Sequence, residues 1–165
     1  MWISLKQKSK GFTLIELLVV IAIIGILTTV ASVSLTQARR RARDTKRVSD
    51  IQQIRNGLVI YSNQRATYPP ASSATTAANI VLGTGGARCL DDSNAGFNAA
   101  GACTGLDIMQ RVPAEQIPPP RPQYVYRKTA TSAYEITFQL NGSIGDLPGG
   151  NCTATVDRIT CVSAP

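Results

Sequence analysis

The sequence has 165 residues, a formal net charge of +7 and no histidine. The missing histidine excludes a Ser-His-Asp triad, a histidine general base and histidine-containing metal sites. No P-loop, nucleophile elbow or metal-ligand cluster is present, so no enzyme, cofactor or metal is expected, and the charge is too modest to argue for nucleic acid by itself.

Residues 1–11 are short and basic, with Lys6, Lys8 and Lys10, like the first region of a secretory signal. From Phe12 to Val33 there are 22 residues and a single charge, Glu16. As a helix this run rises roughly 33 Å, enough to cross a bilayer core. Charged residues inside such spans are rare and are usually paired or functional. The plainer account of Glu16 is an interfacial residue reaching the headgroups. Two other readings of the run stay open. One is an ordinary signal peptide cut after Ala31, with Thr29 and Ala31 as its small residues, although Glu16 suits such a segment poorly. The other is an unprocessed anchor that never assembles.

Gly11-Phe12-Thr13-Leu14-Ile15-Glu16, behind a basic leader and ahead of about twenty apolar residues, resembles the class III signal of type IV pilins and pseudopilins. The resemblance is clearest over residues 6–70. It implies that a prepilin peptidase cuts after Gly11 and that Phe12 becomes the N-methylated terminus. It also implies that Glu16 pairs with the terminal amine of a neighbouring subunit. Removing the three leader lysines from +7 leaves +4 on the mature chain. Many pilins carry a proline about 22 residues into the mature chain, where this sequence has Val33. Gly25 is then a candidate weak point, since glycine costs ~1 kcal/mol relative to alanine in a helix. Close helix packing is the alternative reason for it.

The count of basic residues and the cysteines disagree about topology. Three lysines precede the span, and Arg39, Arg40, Arg41, Arg43, Lys46 and Arg47 follow it closely. That count alone would place the C-terminal side in the cytoplasm. Cys89, Cys103, Cys152 and Cys161 all lie beyond the span, and disulfides need an oxidising side. Together with the resemblance, they predict a cytoplasmic leader and an exported domain. An even cysteine number in a small loop-rich domain reads as two bonds, with three pairings open. The most local, Cys89–Cys103 with Cys152–Cys161, is preferred. Four buried thiols in a reducing compartment are the alternative. The basic cluster 39–47 is expected to form a solvated helix face or to meet acidic residues of neighbours, with contact to lipid headgroups before assembly.

Val48, Ile51, Ile54, Leu58 and Tyr61 are spaced as one face of a helix, and no proline interrupts Phe12 to Thr67. A continuous helix from Phe12 to about Ser62 is predicted, apolar over 12–33 and amphipathic over 34–62. Lys46-Arg47-Val48-Ser49-Asp50-Ile51 and then Tyr68-Pro69-Pro70 resemble major type II secretion pseudopilins, where Tyr-Pro starts the loop toward a sheet. Residues 63–122 read as a connecting loop region. Asp91-Asp92-Ser93-Asn94 could offer oxygens to calcium, but the spacing fits no EF-hand and a solvated turn is preferred. Ile117 to Pro122 should be extended polyproline.

The region 123–165 is predicted as an antiparallel sheet head with a C-terminal disulfide loop. Its strands are 123–128, 133–140, and a third strand or hairpin within 153–161, with Val156 and Ile159 as core candidates. The expected fold class is α+β: a long N-terminal helix packed on a small sheet of three or four strands, pilin-like. The expected function is a structural subunit of a type IV filament, with a type II secretion pseudopilin as the alternative. The expected partners are copies of itself in a helical filament, the prepilin peptidase, an assembly platform with its ATPase, and membrane lipid before assembly. The expected location is the inner membrane, single-pass, and then a periplasmic or extracellular filament.

Overall fold

A computed structural model describes residues 11–70, 79–99, 101–103, 105–115 and 123–163. Helix α1 runs Leu14–Arg65 and is followed by eight strands. They are β1 Ile80–Val81, β2 Cys89–Asp91, β3 Phe97–Asn98, β4 Asp107–Met109, β5 Val125–Ala130, β6 Ala133–Leu140, β7 Gly150–Thr155 and β8 Ile159–Val162. The layout is α+β. The chain divides into two compact units between Arg39 and Arg40.

In the first unit Thr13 begins the helix and no proline stops it. Every described residue from Gly11 to Arg39 is exposed. The second unit has an ordinary core. Ile51, Ile54, Leu58 and Tyr61 of α1 are each at most 1 % exposed, and Val48 packs against them. The stripe read from the sequence is therefore the buried face. Gly57 lies on it where a side chain would meet Met109 and Leu90, so a small residue lets β4 approach the helix. Three residues of the same stretch, Asp44, Arg47 and Asp50, are buried despite their charge. The helix ends at Ala66, whose φ of 55° is left-handed, and Pro69 and Pro70 prevent its resumption.

The larger sheet has the order β1-β5-β6-β7-β8, all antiparallel. In β6 the alternation predicted the inward face: Tyr134, Ile136, Phe138 and Leu140 are buried. Tyr126 of β5 and Cys152 and Ala154 of β7 join them. Edge-to-face contacts of Tyr68 with Tyr134 at 4.7 Å and of Phe97 with Tyr126 at 5.1 Å knit this core. Two buried phenols find acceptors, Tyr126 on the Pro69 carbonyl at 2.8 Å and Tyr61 on the Ser93 carbonyl at 3.0 Å. The third predicted strand is a hairpin, β7–β8. Ile159 packs on the core, whereas Val156 is 37 % exposed at its turn.

The region expected to be a plain connector holds four short strands. Ile80–Val81 adds a fifth member to the main sheet beside β5. A second sheet of order β3-β2-β4 forms around Leu90, which is fully buried. Strands of two or three residues leave no period to read in a sequence rich in Ala, Gly, Ser and Thr, and they persist through other bonds. Asp91 is one: it is fully buried, where a solvated turn was expected. Its Oδ1 accepts from Ser93 N at 3.1 Å and Asn98 Nδ2 at 3.0 Å, and its Oδ2 from Gly105 N at 3.2 Å. The other is the Cys89–Cys103 disulfide across the same loop. The predicted polyproline stretch, Ile117 to Pro122, lies outside the described residues.

Candidate functional site

The head of α1 is a reciprocal cap. Thr13 Oγ1 accepts from the Glu16 N–H at 3.2 Å, and Glu16 Oε2 accepts from the Thr13 N–H at 2.9 Å. The Thr13 hydroxyl also donates to Glu16 Oε2 at 2.8 Å. This Thr-x-x-Glu arrangement satisfies two amides that a helix start otherwise leaves open. The signal was legible as Thr13-Leu14-Ile15-Glu16, yet the sequence reading gave Thr13 no role. Among the described residues Glu16 Oε1 has no partner, so only half of the carboxylate serves the cap. The carboxylate and the Phe12 backbone nitrogen thus share the same first turn.

Gly11 and Phe12 precede the cap. A side chain built on Gly11 would meet nothing within 4 Å. No contact among the described residues therefore demands glycine there. The same holds for Gly25, so no described residue packs against it.

Beyond the cap, consecutive apolar side chains stand in solvent. Phe12 is 77 % exposed and Leu14 79 %, and the exposure continues on every side of the helix to Leu35. The helix is long and apolar enough to cross a membrane. Its few hydroxyls turn back onto their own helix: Thr28 Oγ1 donates to the Ile24 carbonyl at 2.7 Å, and Ser32 Oγ to that of Thr28 at 2.8 Å. From Leu17 to Val33 every hydroxyl is thus bonded within the helix.

In the second unit both disulfides are the local pairs, Cys89–Cys103 and Cys152–Cys161. The latter joins residues directly opposite in β7 and β8. Arg47 departs from the solvated face expected of the basic cluster. Its side chain meets Glu115 Oε2 at 2.6 Å and Asp44 Oδ1 at 2.7 Å. Asp44 in turn accepts from the Asn141 and Gly142 amides at 3.0 and 3.1 Å. Burial opposes the Arg47 charge, but the two carboxylates outweigh it and hold its pKa above the ordinary value. Asp50 receives the Tyr124 hydroxyl at 3.1 Å, and burial pushes its pKa up.

The prokaryotic N-terminal methylation motif matches residues 6–32. The N-terminus of this chain carries a prepilin motif. The chain is 40 % identical over 63 residues to the type II secretion system core protein G of Escherichia coli, covering 38 % of this chain and 43 % of that protein. The corresponding protein of Aeromonas hydrophila is 39 % identical over 64 residues, covering 39 % and 45 %. The major component of the type IV wide pilus of Thermus thermophilus is 62 % identical over 39 residues, covering 24 % and 30 %. The matches thus span less than half the length of these relatives. No solved structure gives a significant match.

Proposed function

We propose that this chain is the structural subunit of a type IV filament, held in a membrane as a precursor, cut after Gly11 and polymerised through its apolar helix. The observation that carries this reading is the fully exposed apolar run behind a capped, motif-bearing start. Fifteen large apolar side chains from Phe12 to Leu35 are exposed. At roughly 1.5–3 kcal/mol for each one buried, leaving them in water would cost tens of kcal/mol. Lipid covers them before assembly, and neighbouring apolar helices replace the lipid afterwards.

Prepilin peptidase removes the leader, residues 1–11, and N-methylates Phe12. A platform protein and an ATPase supply the work of extraction. Glu16 compensates the new amine of a neighbour once both leave water. The head is exported, which the two disulfides support. A pseudopilus subunit of a type II secretion system is the second reading, favoured by the similarity to core protein G of several organisms. Mass spectrometry of the membrane-bound protein tests the proposal. A methylated Phe12 terminus is expected. A start at Ser32 would replace the reading by a secreted domain, and an intact Met1 by an unprocessed anchor.

A further inference from the structure

The second unit holds a cationic groove that the proposed function does not use. Its volume is about 670 Å³, and it is lined by Lys46, Asp50 and Gln53 of α1 with Arg88, Gln110 and Arg111 opposite. Lys46, Arg88 and Arg111 are exposed, and among the described residues none is within ion-pair distance of a carboxylate. This sets them apart from Arg47, Arg55 and Arg65, which engage acceptors elsewhere in the unit. Asp50, at 7 % exposure and engaged by Tyr124, offsets only part of the positive charge. The groove is thus built for an anionic visitor.

The same unit carries an acidic projection. Ile144 and Leu147 exchange backbone hydrogen bonds of 2.9 and 3.0 Å, closing a turn with Gly145 and Asp146 at its tip. Asp146 is exposed and free of ion pairs among the described residues. A side chain built on Gly145 or Gly142 would touch nothing, so the tip stands clear of its own chain. Asp157, the acid at the β7–β8 turn, is by contrast followed directly in the chain by Arg158.

Lys46 and Gln53 of the groove and Asp44, which holds the root of the turn, leave α1 on different sides. Asp44 holds the root of the turn through Asn141 and Gly142. Lys46 follows two residues later, about 200° around a helix of 3.6 residues per turn, and Gln53 falls at about 180°. The turn is closed on itself by Ile144 and Leu147 and stands clear of its own chain. A pair of complementary patches on different faces makes a heterologous contact, which propagates as an open array instead of closing as a twofold dimer.

We propose that this groove receives the Asp146 turn of a second copy of this chain. The inference deepens the filament reading and rests on it, by naming a lateral contact between heads. Lys46 makes a direct test available, because Lys46 and Lys128 are the two lysines beyond residue 11. A carbodiimide joins a carboxylate to an amine only where they touch. It is applied to membranes and to sheared material from cells producing the full chain, and cross-linked bands are mapped by mass spectrometry. Linked dimers and a ladder containing a Lys46–Asp146 peptide are expected. In cells, Asp146→Lys should lower the linked dimer about tenfold, and adding Lys46→Glu should restore it. Both side chains are exposed, so folding is controlled by an unchanged level of cleaved protein. A ladder joined through Asp107 or Asp157, or none through Lys46, overturns the inference, while filaments in the sheared fraction keep the filament reading. Lys46–Asp146 dimers without any filament would do the reverse.

Discussion

Glu16 does two things that substitution can separate. Its Oε2 completes the cap with Thr13, and its charge is proposed to meet a neighbour's amine. Glutamine keeps an acceptor oxygen in the same place and so keeps the capping box, but it carries no charge. Alanine removes both. Losing a cap costs about 0.5–2 kcal/mol, and the loss is shared by the membrane-bound and assembled states because the helix persists in both. It therefore largely cancels from the assembly equilibrium. Leaving an amine unpaired in a dry core costs about 3–5 kcal/mol and falls on the filament alone. At 1.4 kcal/mol per tenfold, subunit addition weakens by a factor of roughly a hundred to a few thousand. Glu16→Gln and Glu16→Ala should thus both be inserted and cleaved, and both give few or no filaments. Glu16→Asp should be partly competent. Thr13→Ala, which loses hydroxyl bonds but keeps the charge, should assemble close to wild type. The assay is filament yield after shearing, set against membrane levels of cleaved subunit. Wild-type yield from Glu16→Gln, with Glu16→Ala impaired, would mean that the carboxylate is a cap and nothing more. Wild-type yield from both would make it an interfacial residue.

Gly11→Val should leave the precursor uncut and filaments absent, although no contact among the described residues forbids the larger side chain; an immunoblot for precursor size checks this. Replacing Cys152 and Cys161 together by alanine should lower the stability of the head by about 2–3 kcal/mol, as should replacing Cys89 and Cys103, measured as a shift in denaturant midpoint. Arg47→Ala strands two buried carboxylates and should cost about 3–5 kcal/mol; an apolar Arg47→Met with Asp44→Asn should recover part of it. Asp50→Asn should equal or exceed the wild type at pH 7. Burial raises the Asp50 pKa in the folded state, so the folded chain binds more protons than the unfolded one between the two values. Asp50 therefore weakens stability as pH rises through that window, and the advantage of asparagine should vanish on acidification below the unfolded value of about 3.8.

What the sequence disclosed follows from how many residues each feature uses. The apolar run and the 51-54-58-61 stripe repeat over many turns, and β6 alternates through eight residues, so their periods survive a single reading. Strands β1 to β4 are too short to show a period, and the second sheet depends on contacts such as Leu90 with Phe97 and Asp91 with Gly105 that no local pattern announces. Arg47 was hidden for a different reason. Within Arg39-Arg40-Arg41-Ala42-Arg43 and Lys46-Arg47 it looks like any other member of a basic run, and what distinguishes it is burial between Asp44 and Glu115, the latter 68 residues away. Thr13 was legible as the first residue of a Thr-x-x-Glu cap, a local signal of four residues.

The distribution of exposure around α1 bears on which kind of partner the apolar run needs. A helix that docks into one groove requires one apolar stripe and keeps a polar opposite face, as residues 51–61 do here. The run from Leu14 has no such face. Leu14, Ile15, Ile23 and Leu17 lie at about 0°, 100°, 180° and 300° around the helix axis, and each is more than half exposed. The hydroxyls of Thr28, Thr29, Ser32 and Thr36 are bonded back onto the helix and mark no solvent side. A single partner would leave at least half of this surface in water. Only surroundings that enclose the helix can cover it, namely acyl chains or several helices at once. The subunit proposal supplies both in succession. A secreted domain cut after Ala31 would discard most of the run, and its N-terminus would begin at Ser32, within the back-bonded hydroxyl segment, where no cap is provided. The cap lies at Thr13, one residue past Phe12, which is where a chain that keeps the whole helix needs it.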